Sequence, residues 1–318
     1  MHLLKSITER HVCEIKRAQN PQAEGILSEI ATVAVTVRRE WFPSDRTTCT
    51  MPGMHRRFKR SAFLAVTGGA IAVTFLLPRY DLPPTYHDFA DRRMLFGVEN
   101  FADVASNIGF FVAGLYGIAV TLWRRWGFED QRELPAYIVL FGGLVLTAFG
   151  SGYYHLRPDD ARLLWDRLPI TVAFMGLFAA MISERLSVPA GFRLLPLLVC
   201  CGGASLWYWM WTVETGNRDL RPYILVQFYP LLAILLLLWM FEPRYTRGYD
   251  FLIALAFYIA AKVFEVADKP VYAATGNVIS GHTLKHLSAG VGGYWLARML
   301  ASRERLRKPI ASSAVAAP

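Results

Sequence analysis

Long apolar runs, separated by short and mostly basic connections, dominate this chain. Eight runs fall at about 61–78, 101–122, 136–154, 167–183, 193–211, 221–241, 249–267 and 282–300. Each approaches the roughly 20 residues that carry a helix across about 30 Å of hydrocarbon. The runs are continuously apolar and do not alternate, which argues against a membrane β-barrel. The predicted fold is all-α: a polytopic membrane protein, with a seven-transmembrane-helix bundle and one extra N-terminal transmembrane helix. Residues 1–53 are weakly patterned and read as a leader, disordered or not native to the mature chain. Residues 54–79 open with basic MHRRFKR and continue as an apolar anchor helix. The core is expected over 99–300, and residues 301–318 form a basic tail.

Composition agrees with this pattern. The chain is 54% hydrophobic and only 19% charged, below the quarter of charged residues usual in a soluble domain. The net charge of +9 does not point to nucleic acid, because Lys and Arg sit in the short loops, as membrane topology requires. One set of loops, with the tail, carries about twice the Lys and Arg of the other. That asymmetry puts both termini in the cytoplasm of an inner or plasma membrane. His155, Asp166, Glu99, Asn100 and His282 then converge near the outer face. The four cysteines lack metal-site spacing, and adjacent Cys200 and Cys201 are expected to serve packing.

The polar residues inside the apolar runs carry the chemistry. His282 and His286 lie four apart in GHTLKHLSAG, so they share a helix face and one metal ion can take both. His155, ending the run SGYYH, would supply a third nitrogen, and three His with a water is an open catalytic zinc arrangement. Ser151 lies one turn below His155. Asp166 opens the next run, where it can serve as a base or pair with Arg167. Lys285 is expected to snorkel to the interface, and Lys262 with Glu265 to form an internal ion pair. Ser106 and Asn107 are expected to bond neighbouring helices. Gln227 and the Trp207, Trp209 and Trp211 cluster can line a lipid cavity or mark the interface. Haem is a poor alternative, since two histidines on one helix face cannot be opposite axial ligands.

The ordered pattern Ser151-x3-His155, Asp166, then His282-x3-His286, resembles the alkaline ceramidase family, within the CREST superfamily of seven-helix membrane hydrolases. The resemblance spans about 99–300. It implies Zn2+ held by His155, His282 and His286, and a zinc-activated water attacking the amide of a ceramide-like membrane lipid. It further implies proton transfer by Asp166 and oxyanion stabilisation by Ser151. Its alternative implication is a receptor-like member with structural zinc and little turnover. Ca2+ is a weaker candidate: Asp88, Asp91, Glu99, Asn100 and Asp103 are available, but their spacing departs from the family's calcium pattern.

Overall fold

The computed structural model describes residues 55–306. The expected leader over 1–53, and the tail beyond 306, lie outside the described residues. Ten α-helices are described: α1 (Arg56–Leu76), α2 (Phe101–Ala105), α3 (Ile108–Trp123), α4 (Leu134–Leu156), α5 (Asp160–Arg185), α6 (Val188–Glu214), α7 (Arg221–Met240), α8 (Asp250–Val266), α9 (Asp268–Ala274) and α10 (Gly281–Ser302). No strand occurs among the described residues beyond two isolated bridges. The protein is an all-α, multi-spanning membrane protein. Among the described residues, six helical segments are long and apolar enough to cross a bilayer: α1, the α2–α3 pair, α4 with its preceding turn, α5, α6 and α7. Helix α8 has 17 residues. It is short rather than polar, whereas helix α10 is interrupted by glycines and polar side chains.

Between helices in lipid, association rests on close packing and small residues rather than on expulsion of water. The α4–α5 pair shows this directly. A Cβ at Gly143 would stand 2.6 Å from Ala173 N, and one at Gly176 would stand 2.5 Å from Leu140 N. A Cβ at Gly150 would collide with the Trp165 carbonyl. That carbonyl is the one Pro169 cannot bond, because proline at the fourth residue along has no N–H. The close approach at Gly150 and Trp165 brings the next residues of each helix, Ser151 and Asp166, side by side.

Helix α5 begins seven residues before its apolar run. Asp159 caps it, accepting from Arg162 N at 2.7 Å, an interaction that satisfies an otherwise orphan helix N–H. Asp166 is therefore in the second turn rather than at the helix start, a correction to the expected position. Cys200 and Cys201 are exposed on α6 rather than packed inside.

Two polar assemblies close the ends of the bundle. At the end carrying His155 and His282, residues 77–100 fold over the helices. His87 reaches Tyr154 OH at 2.8 Å and Asp160 at 3.1 Å, while Arg218 bridges Asp81 and Asp160. In the α6–α7 connection, the Arg221 guanidinium holds the Asp219 carboxyl below the usual carboxylate range.

At the far end, the Arg303 side chain is 4% exposed. It donates to Tyr137 OH at 2.7 Å and to Glu184 at 3.0 Å, and stands 3.9 Å from the Tyr245 ring centroid. Removing one member of a buried ion pair leaves the other desolvated. Arg303→Ala is expected to destabilise the protein by roughly 3–5 kcal/mol, read as a lowered unfolding temperature in detergent micelles. An unchanged melting curve would show that water reaches this network.

Candidate metal centre

His155, at the end of α4, and His282 and His286, in the first two turns of α10, form one buried cluster. Each offers a ligand nitrogen within 4.8 Å of the others, and their exposures are 0%, 4% and 1%. The ring centroids stand 4.6–4.9 Å apart. His282 Nε2 and His155 Nε2 face each other at 3.1 Å, and His155 Nδ1 has no partner among the described residues.

The cluster fits a divalent ion. Two nitrogens held about 2.0–2.1 Å from a tetrahedral ion are roughly 3.3 Å apart, close to the observed separation. Without a cation the buried ring nitrogens would have mainly one another as partners, an expensive arrangement in a dry site.

Several elements aim these rings. Ser106, in the α2–α3 connection, is hydrogen-bonded to His286 Nδ1 at 2.8 Å, which leaves Nε2 for a ligand. Asn100 donates to the His155 carbonyl at 2.8 Å. It adopts a left-handed conformation, φ +49°, which asparagine tolerates better than most residues.

The start of α10 is fixed by two buried carboxylates. Asp268 accepts from His282 N at 2.8 Å and from Ala90 N at 2.9 Å. Asp103 accepts from Thr283 Oγ1 at 2.8 Å and from Ser280 Oγ at 3.2 Å. Carboxylates are favourable at a helix N-terminus. Phe89 covers the cluster, its ring centroid 4.3 Å from that of His282 and 4.8 Å from that of His155.

His282 and His286 line a cavity of about 860 Å³, together with Ser151 and Asp166. The Ser151 side chain faces the Asp166 carboxylate. The cavity continues toward the far end between apolar side chains such as Leu144, Phe174, Leu231 and Leu296. Its size falls within the range of sites for organic ligands. Between α7 and α8 its wall is made of side chains, since those two backbones scarcely approach each other. Gln227 Nε2 donates to Tyr258 OH at 3.1 Å, and the Lys262 ammonium stands 5.9 Å from the Phe228 ring centroid.

The structure brings together all five residues singled out from the sequence: Ser151, His155, Asp166, His282 and His286. Lys285 departs from expectation. It does not snorkel away but turns into the cavity and pairs with Glu265 at 3.3 Å. Glu265 also binds Lys262, so the expected pair is a triad. Arg167 does not pair with Asp166: it forms no ion pair among the described residues.

Gln227 lines the cavity. Trp209 is fully buried, whereas Trp207 and Trp211 face outward. Asn107 bonds within its own segment, to the Asp103 carbonyl. Three of the four carboxylates considered for Ca2+ are engaged elsewhere: Asp91 with Arg93, Asp88 with Lys269, and Asp103 as above; Glu99 is exposed. Ser106, Asp103, Asp268 and Phe89 position the cluster, yet nothing in their spacing assigns them that part. No family model matches the chain, and no curated protein does.

Proposed function

We propose that this protein is a zinc-dependent amidase of the membrane, hydrolysing ceramide-like N-acyl lipids to a fatty acid and a long-chain amine. One observation carries the reading: three buried histidines gather at the polar end of a lipid-sized cavity, beside a serine and an aspartate in its wall. The α2–α3 segment with α4, α5, α6, α7, α8 and α10 would be the seven-helix core, with α1 added beside α7. The loop charges put the histidine end near the outer leaflet.

His155, His282 and His286 would hold the ion, which supplies Lewis acidity to the amide carbonyl and acidity to a water. The chain's own residues do the rest. Apolar side chains toward the far end take the acyl chain and leave the amide at the polar end. Phe89 excludes bulk water above the rings. Asp166 takes a proton from the attacking water and returns it to the amine as the C–N bond breaks. The Ser151 hydroxyl orients that carboxylate and can turn its proton to the developing oxyanion.

The test is release of fatty acid from fluorescent N-acyl lipids by purified protein, with ceramide and an N-acylethanolamine as substrates. Release should stop on chelation and return with zinc. Zinc binding without release would favour a receptor-like protein with structural zinc. Absence of both zinc binding and release would overturn the proposal.

A further inference from the structure

Arg167 is the one Lys or Arg of the cavity wall that forms no ion pair among the described residues. Lys262 and Lys285 share Glu265, and Lys269 pairs with Asp88. Asp268 is taken up by two backbone N–H groups, and Asp166, the preceding residue, forms no ion pair with Arg167 among the described residues. The Arg167 guanidinium instead sits among three aromatic rings, 5.2 Å from Tyr86, 5.0 Å from Trp209 and 4.7 Å from Tyr223. It is 4% exposed, and its Nη1 has no hydrogen-bond partner among the described residues. Trp209 Nε1 is a second buried donor without an acceptor.

Aromatic faces stabilise a cation, but they accept few hydrogen bonds, and a buried charge is costly until it is paired. Two orphan donors in one aromatic cluster call for an oxygen acceptor, and the charge on one of them calls for an anion. A planar guanidinium suits an oxyanion, which it can bind through two parallel N–H groups. The place of the cluster decides which part of a lipid this oxyanion belongs to. Tyr86 comes from the segment over the histidine end, Tyr223 from the first turn of α7 and Trp209 from the last turns of α6. The guanidinium is therefore at the polar end, while the apolar wall runs away from it.

We propose that Arg167 is an anion subsite for the amine-side headgroup. The preferred substrate is then an N-acyl lipid bearing a carboxylate, sulfonate or phosphate, rather than a neutral ceramide. This rests on the amidase reading for its turnover but not for its binding.

Three chain-matched lipids separate the possibilities: N-palmitoylglycine, N-palmitoylethanolamine and free palmitate. Binding to zinc-loaded protein is measured by displacement of a fluorescent acyl probe, and hydrolysis of the two amides is measured in parallel. Wild type should bind N-palmitoylglycine at least about tenfold more tightly than the ethanolamide, as a charge-assisted contact allows. Arg167→Gln should bring that ratio within about twofold, and Arg167→Lys, which keeps the charge but not the planar fork, should fall between.

Selective binding without hydrolysis of either amide would uphold the subsite and remove the amidase. Hydrolysis with no preference between the amides would uphold the amidase and remove the subsite. Equal loss of palmitate and N-palmitoylglycine binding in Arg167→Gln would move the contact to the acyl carboxylate and overturn the headgroup assignment. Should Arg167→Gln not fold, the wild-type ratio and Arg167→Lys still decide.

Discussion

His286→Ala is expected to remove zinc from the purified protein while leaving it in the membrane fraction with a wild-type elution profile. Structural and catalytic zinc sites draw on at least three protein ligands, and this substitution leaves only His155 and His282. Fatty-acid release should disappear with the metal. Metal analysis by mass spectrometry, beside wild type, reads the result.

Ser106→Ala gives the graded counterpart. Its hydroxyl touches His286 Nδ1, and loss of such an outer partner usually costs about 10–100-fold in metal affinity. The Ser106→Ala protein should therefore bind zinc, but release it to a chelator at lower concentration. Full zinc occupancy in His286→Ala would place the ion away from these three rings and end the proposed mechanism.

The membrane spans were legible because lipid demands long uninterrupted apolar helices, and that demand is written locally. It is weakest in α10, where metal-site residues and glycines replace apolar ones. The His282–His286 spacing was legible for a related reason: a four-residue step is a property of any helix. Joining His155 to that pair took the topology of the spans, which brings both helix ends to one face, since no local signal links α4 to α10.

What stayed hidden is tertiary. Asp159 extends α5 through a side-chain cap, which hydropathy does not register. Lys285 looked like an interfacial lysine until Glu265, twenty residues away on α8, was seen to hold it in the cavity. Phe89 and Tyr86 belong to a connection whose sequence reads as loop, yet they cover the histidines and cage Arg167. The far-end network draws Tyr137, Glu184, Tyr245 and Arg303 from separate segments, so no spacing rule could assemble it. The sites that matter most for chemistry are those where helices were brought together, as at Gly150 and Trp165.

Asp166→Asn is expected to keep zinc and fold while lowering kcat/KM by about 10²–10⁴, the usual contribution of a positioned acid–base group. Asparagine preserves the size of the side chain and an oxygen facing Ser151. It removes only the capacity to take and return a proton. The two measurements therefore separate chemistry from architecture, which Asp166→Ala alone would not do.

Loss of zinc together with activity would make Asp166 a positioning residue for the metal cluster. Unchanged turnover would shift the proton-transfer role to another carboxylate of the same wall. Glu265 is the candidate there, because it also lines the cavity, where it pairs with Lys262 and Lys285. Glu265→Gln then discriminates: it should disturb Lys285 and Lys262 but leave the pH dependence of turnover in place if Asp166 carries the proton. A pH profile that vanishes in Glu265→Gln and persists in Asp166→Asn would reverse the assignment.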